Sequence, residues 1–392
     1  MDNSLIKKAI KKNTMLIALV VVMLFFQALI GLSGKGSLFA PANISNLISQ
    51  NAYVVVLASG MLLCILTGGN IDLSVGSIVA LVGAVAGTLM VNQGANLYLS
   101  IMVCLALGTF IGAWQGFWIA YIRIPPFIVT LAGMLLWRGL ALIVLNGLTI
   151  SPFPSNYLTY FTSFIPGAGN AALTYGVTVG IGVVTVGIYV VSQVMGRVVK
   201  KKKGYETGSD LMFAFQLLVI SAVVLFLFFL LARNKGVPVV LIIIAAIVLV
   251  YSYFTSNTVP GRYLYALGGN EKAAKMSGVN TNRMLFFAYA NMGFLSAIAA
   301  LMCVARFNSA APSAGTNYEL DAIASCFIGG ASAYGGTGTI SGAVIGAIFM
   351  GVLNNGMSIM GIDSNWQRAV KGLVLLVAVV FDVVSKNRKK SS

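Results

Sequence analysis

The sequence predicts an all-α polytopic transmembrane helix bundle of about twelve spans, some of them discontinuous, with both termini cytoplasmic. Three observations predict it. The 392 residues are 58% apolar and only 9% charged, where a soluble chain carries about 25% charge. The apolar residues gather in runs close to the roughly 20 that a spanning helix needs. The basic residues sit in short clusters between those runs, as the positive-inside rule expects. No stretch outside the runs is long enough to fold by itself, so residues 1–392 form one membrane-spanning domain.

The first run, 15–33, follows Lys7, Lys8, Lys11 and Lys12. It is too long for a signal-peptide core and lacks a small-x-small cleavage site, so it reads as an uncleaved first span. Further runs cover 52–66, 75–91, 97–121, 127–146, 173–195, 211–232, 237–255, 284–305, 319–333, 339–361 and 366–385. Two of them, 52–66 and 319–333, are short, and each runs into a glycine-rich break. Residues 75–122 carry no charge, so two helices and their turn share that interval. The uncharged loop 147–172 holds Pro152, Pro154 and Pro166 and reads as an ordered cap or half-helix. Small-xxx-small spacing at Gly83/Gly87, Gly108/Gly112/Gly116, Gly176/Gly180 and Gly338/Gly342/Gly346 suits close helix packing.

With the N-terminus inside, the inner segments hold eighteen lysines and arginines and the outer ones four: Lys35, Arg233, Lys235 and Arg306. That asymmetry sets the topology, and it explains the net charge of +16 without nucleic acid. There is no histidine, and Cys64, Cys104, Cys303 and Cys326 lie in apolar stretches without metal-like spacing. The glycine-rich stretch 335–339 is not a phosphate loop, because no Lys-Ser or Lys-Thr follows a G-x-x-x-x-G. No nucleophile–base–acid set or metal cluster marks an enzyme, and no cofactor is expected on this chain.

Three segments carry functional promise. Asp72 is the one charged residue between Lys35 and Arg123. A carboxylate at hydrocarbon depth costs roughly 2.5–3.5 kcal/mol even on the lenient scale, so it must face protein, water or cargo. Asn70, Ser74 and Ser77 share its segment, and the glycines at 68, 69 and 76 break the helix. Two readings stand: Asp72 caps the helix that starts near Val75, or it works in gating or the pathway. A counterpart lies at Glu319 and Asp321, followed by the break at 329–338; paired broken helices point to a transport route. The third segment is the inner loop 256–283, where residues 271–276 favour helix and Gly278 stops it. It is either a solvated loop helix or the place where a soluble partner pushes. Arg138 stands alone within a span, and Asn354, Asn355, Trp366, Arg368 and Lys371 surround the last two helices, with Asp363 in reach of Lys371.

Four motifs in order, Gly-Gly-Asn-Ile-Asp-Leu-Ser-Val-Gly-Ser (68–77), Ile-Pro-Pro-Phe-Ile-Val-Thr-Leu-Ala-Gly-Met (124–134), Gly-Gly-Asn-x-x-Ala-Ala-x-x-Ser-Gly (268–278) and Glu-Leu-Asp-Ala-Ile-Ala-Ser-Cys-Phe-Ile-Gly-Gly (319–330), resemble the permease subunit of bacterial monosaccharide ABC importers, the ribose/xylose/galactose group. The match covers most of 40–385. An extra pair of spans at about 173–232 makes the chain most similar to the xylose and multiple-sugar permeases. The resemblance implies a permease homodimer in lipid of the bacterial cytoplasmic membrane, an intracellular ATPase subunit that binds ATP and Mg, and an extracytoplasmic sugar-binding protein. It makes Gly268, Gly269, Asn270, Glu271, Ala273, Ala274, Ser277 and Gly278 the ATPase-coupling residues. One departure is Lys272, where the wider Glu-Ala-Ala signature has Glu; Glu271 is shifted by one. Asn70, Asp72, Ser74, Glu319, Asp321, Asn354 and Asn355 are the pathway candidates. The rival expectations are an ion-coupled secondary sugar transporter and an ABC permease for branched-chain amino acids or nucleosides.

Overall fold

The computed structural model describes residues 14–167, 169–205 and 209–390. Lys7, Lys8, Lys11 and Lys12 lie outside the described residues. The apolar runs become helices α1 (Thr14–Leu32), α2 (Pro41–Leu66), α3 (Val75–Gly87, continued by a π turn at Thr88–Asn92), α4 (Leu97–Ala120) and α5 (Pro126–Leu145). A cap follows, with α6 (Ser155–Thr162) and β1 (Phe164–Ile165). Next come α7 (Ala171–Lys202), α8 (Asp210–Ala232), β2 (Val237–Pro238) and α9 (Val239–Asn257). The remainder is α10 (Val259–Gly269), α11 (Glu271–Met276), α12 (Thr281–Phe307), α13 (Tyr318–Ile328), α14 (Ile340–Met360) and α15 (Ser364–Lys390). The two strands pair antiparallel, Phe164 opposite Pro238 and Ile165 opposite Val237, and tie the cap to the chain entering α9.

Ten of these helices are long and apolar enough to cross a membrane among the described residues. α13 has only 11 residues, about 16 Å of helix, so the expected short segment 319–333 is a half-helix. The other expected short span, 52–66, is instead the C-terminal part of the 26-residue α2. Pro41 opens that helix at its first turn, where its missing N–H costs nothing. Its front half carries Asn43, Ser45, Asn46, Ser49, Gln50 and Asn51, which hid it from an apolar-run reading.

α2, α3, α12 and α14 form the buried centre. Backbones meet closely where α4 crosses α12. A Cβ on Gly112 would stand 2.9 Å from Gly293 Cα, and one on Gly116 would stand 3.0 Å from Phe286 O. Glycine there allows the dispersion contacts that hold membrane helices together. Gly176 and Gly180, expected to do the same, face open space on α7. α7 and α8 form a peripheral hairpin, closed where Gly182 receives the Phe228 ring and tied to the body where Asn234 Nδ2 donates to Ser45 Oγ (2.8 Å).

Candidate functional site

Two glycine-rich breaks interrupt the centre of the bundle, and they touch. The first, residues 67–74, joins α2 to α3; the second, 329–339, joins α13 to α14. Gly68, Gly69, Gly330, Gly335, Gly336 and Gly338 all have positive φ, a conformation open mainly to glycine. A side chain on Gly69 would overlap Ala333 O, and one on Gly335 would stand 2.5 Å from Gly68 Cα. Gly336 N donates to Leu66 O (3.1 Å), the last carbonyl of α2. Tyr265 OH, on α10, donates to Gly338 O (2.9 Å).

Gly268 enters this junction from a third direction. A Cβ there would overlap Leu66 O and Gly336 N, whereas one on neighbouring Gly269 would meet nothing within 4 Å. The end of α10 therefore wedges between the end of α2 and the second break. Immediately beyond it, Asn270 caps α11, its Oδ1 accepting from Ala273 N (3.0 Å). Ser277 Oγ donates to Ala273 O (3.0 Å), and Gly278 closes the turn at φ 84°. α11 buries Ala274 and leaves Lys272, Lys275 and Met276 exposed, Met276 at 89%. Glu271 is already held within the chain: Arg123 Nη1 donates to its Oε1 (2.6 Å), and Arg123 also donates to Thr281 Oγ1 (3.2 Å) and Asn282 Oδ1.

Asp72 is fully buried inside the first break. Its Oδ1 accepts from Ser74 N (2.8 Å) and Ser74 Oγ (2.6 Å), and Gln115 Nε2 on α4 donates to that same Ser74 Oγ (2.8 Å). This is a side-chain turn ahead of α3. The cap position itself belongs to Ser74, whose carbonyl accepts from Ile78 N (2.9 Å), so the expected capping of the first turn by Asp72 is not formed. Asp72 Oδ2 and Ser77 Oγ are buried without a hydrogen-bond partner among the described residues. Asn70 Nδ2 donates locally to Thr67 Oγ1 (3.1 Å).

The chain returns into the bundle between α12 and α13. Gly315 packs backbone to backbone on Gly76 at the start of α3, with the Glu319 carboxylate beside the same glycine. Arg138, whose partner sequence reasoning left open, donates to Pro312 O (3.3 Å) and Ala314 O (2.5 Å) of this returning loop. Asp321 is paired with Lys371 of α15 at 3.0 Å and accepts from Tyr53 OH (2.8 Å). The expected partner of Lys371, Asp363, instead accepts from the nearby Asn365 N (2.8 Å). Asn355 and Asn43 exchange two amide hydrogen bonds of 2.9 Å each, a tie between α14 and α2, while the buried Asn354 Oδ1 has no partner among the described residues.

Asp72, Ser74 and Glu319 thus gather around the start of α3, and Gly268 joins the glycine junction. Asp321 stands apart at the front of α13. Gln115 and Arg123 were missed by sequence reasoning. Gln115 carries a signal, as an amide in a charge-free stretch, but nothing in the chain's order pairs Arg123 with a residue 148 positions on.

A family model described as branched-chain amino acid transport system / permease component matches residues 43–174 and 159–379. The chain is 38% identical to the xylose transport system permease protein XylH of Escherichia coli (strain K12) over 374 residues, 95% of this chain and 92% of that one. It is 38% identical to XylH of Haemophilus influenzae, covering 96% of each chain. Identity to the ribose import permease protein RbsC of Escherichia coli (strain K12) is 35%, over 94% of this chain and 92% of that one. No solved structure matches.

Proposed function

The chain belongs to the branched-chain amino acid transport system / permease component family, and from that premise we propose that it is the membrane subunit of an ATP-binding-cassette importer for a monosaccharide, xylose or a related pentose or hexose. The observation that carries this reading is the near full-length similarity to permeases named for xylose and ribose. The subunit performs no chemistry. ATP and Mg bind a separate cytoplasmic ATPase, a binding protein delivers the sugar from outside, and the permease works as a homodimer in the bacterial cytoplasmic membrane.

The geometry supports a division of labour. The eighteen-to-four bias of basic residues puts the α10–α11 end in the cytoplasm. There α11 offers an exposed methionine beside two lysines, a knob with a polar rim of the kind a partner's cleft receives. Gly268 lies just ahead of that short helix and touches the last carbonyl of α2 and the second break. A push on α11 therefore reaches the end of α2 and the backbone of 329–339 directly, and 67–74 through the contact between the two breaks. Nucleotide state on the ATPase acts by its differential affinity for the two arrangements of α11. In this reading the ten full helices, the loop-plus-half-helix 308–328 and α15 are twelve traverses, with both termini cytoplasmic.

The test is reconstitution into vesicles with the ATPase and binding protein. Accumulation of labelled xylose that needs ATP and both partners is the expected result. Accumulation driven by a proton or sodium gradient, with the permease alone, overturns it. Leucine is the substrate to run in parallel, given the family's description; leucine uptake without sugar uptake would reassign the cargo.

A further inference from the structure

Toward the opposite end of α2 from Leu66, the helix shows a polar face. Asn46, Ser49, Gln50 and Tyr53 follow the i, i+3, i+4, i+7 spacing of one helix side, about 30 Å from the glycine junction at the far end of that face. Polar groups at that depth must meet protein, water or a solute. Here they meet a cavity of about 230 Å³ that they line with Phe161 and Phe164 of the cap and with Lys235, Cys303 and Arg306. The side-chain amides of Asn46 and Gln50 make no hydrogen bond among the described residues. Arg306 Nε is buried and also without a partner among them.

The chemistry of the lining is selective. Lys235 and Arg306 are its two charged groups, both cationic, and no carboxylate lines it. Two amides can each donate and accept, and a guanidinium adds donors. That set matches a molecule rich in hydroxyl oxygens and repels a cation. The phenyl rings offer faces for C–H surfaces. The volume falls below the roughly 300–1,000 Å³ of drug-sized pockets, which limits the occupant to a small solute.

The floor of the cavity is mechanically connected. The Tyr53 ring stacks on Tyr318 with centroids 3.9 Å apart and planes at 20°. Tyr318 is the first residue of the half-helix α13. Tyr53 OH donates to Asp321 Oδ2, and Asp321 is held by Lys371. Anything that displaces Tyr53 must break the stack and loosen α13, whose other end is the second glycine break.

We propose that this cavity is the extracytoplasmic receiving site for a neutral polyhydroxylated solute of monosaccharide size, with the Tyr53–Tyr318 stack as its inner gate and Asp321 as the latch. The inference rests on the permease reading above and adds the place and the chemistry of the first encounter inside the membrane. Asn46, Gln50 and Arg306 bind hydroxyls. Tyr53 senses occupancy, and its release from Asp321 frees the half-helix to move.

A cysteine at Gln50 tests this. The full-length Gln50→Cys chain, with Cys303→Ser to remove the one native thiol in the lining, is reconstituted with its ATPase and binding protein. It is labelled from outside with a membrane-impermeant thiol reagent. Labelling should occur, and D-xylose should slow it saturably, by about tenfold when the sugar stands at about ten times its Kd. Inorganic phosphate at the same concentration should leave the rate unchanged. In the same vesicles Asn46→Ala and Gln50→Ala should lower xylose uptake while the ATPase activity stimulated by the binding protein persists. Tyr53→Leu, which removes stack and latch together, should let xylose leak without ATP. Protection by phosphate and not by sugar overturns the proposal, as does normal uptake in Gln50→Ala with sugar-insensitive labelling of the cysteine. If the unaltered chain in complete vesicles carries no monosaccharide at all, the permease reading itself fails, which is a separate result.

Discussion

The two glycine-rich breaks share ingredients and differ in the fate of their carboxylate. In the first, Asp72 sits inside the break, fully buried, held through one oxygen by Ser74 while the other meets no donor among the described residues. In the second, the carboxylate Asp321 stands ahead of the break, near the front of α13, and is neutralised by Lys371, with Tyr53 as a further donor. A buried ion pair of this kind fixes a geometry more than it adds net stability. The pair pins the half-helix to the last helix. The unpaired oxygen in the first break is an expense that packing alone does not justify. The difference teaches that matching motifs need not do matching work: the second break is held at one end, and the first keeps a polar group in reserve.

Breaking the held side should give the largest effect on stability. Lys371→Met leaves Asp321 buried without its cation and should destabilise the protein by about 3–5 kcal/mol, read as a lowered unfolding temperature of the detergent-solubilised chain. Adding Asp321→Leu should restore much of the loss, since the charge left uncompensated is then gone. No recovery in the double variant would mean that the pair does more than neutralise itself.

Next comes the junction shared by both breaks. Gly268→Val forces a side chain against Leu66 O and Gly336 N, an overpacking penalty of about 1–3 kcal/mol. Because the strain lies where α10 meets α2 and the second break, sugar uptake should fall more than the unfolding temperature does. Gly187→Val, on the peripheral α7 with nothing within 4 Å of an added Cβ, is the internal control and should transport normally. Equal effects from the two variants would remove the wedge from the account.

Sharpening the reserve side needs a substitution that keeps its bonds. In Asp72→Asn, Oδ1 still accepts from Ser74, so stability should change by less than about 1 kcal/mol, while transport drops if the charge works in the cycle. Parallel loss of expression and transport would make Asp72 a folding residue.

The legible parts of this molecule were those written locally. Glu271–Met276 is a helix stopped at Gly278 because Ala, Lys and Met favour helix over six residues and a glycine ends them. The half-helix at 318–328 was visible as a short apolar run beside glycines. What stayed hidden was written across the chain. α2 read eleven residues too short because the polar groups of its front half face Asn355, Asn234 and the cavity beside Arg306, and a hydropathy reading cannot see those partners. The pairing of Lys371 with Asp321 spans 50 residues, and Asp363 looked nearer only in sequence. The meetings of Gly68 with Gly335 and of Gly268 with Gly336 have no local signature, because glycine reports freedom of the backbone and never names what approaches it.

The smallest expected effect lies at the Arg123–Glu271 pair. Both side chains are more than 40% exposed, so the pair contributes about 0–1 kcal/mol to folding, and neither Glu271→Gln nor Arg123→Ala should shift the unfolding temperature measurably. The two variants should still differ. The amide introduced by Glu271→Gln keeps an oxygen that can accept from Arg123, whereas removal of Arg123 also frees Thr281 and Asn282. If α11 must be oriented for the ATPase to find its methionine knob, Arg123→Ala should weaken stimulation of ATP hydrolysis more than Glu271→Gln does. Raising the salt should bring the unaltered protein toward the Glu271→Gln value, because screening acts on exposed charge pairs. Should Glu271→Gln abolish stimulation while Arg123→Ala leaves it whole, Glu271 touches the ATPase itself and the arginine is its competitor.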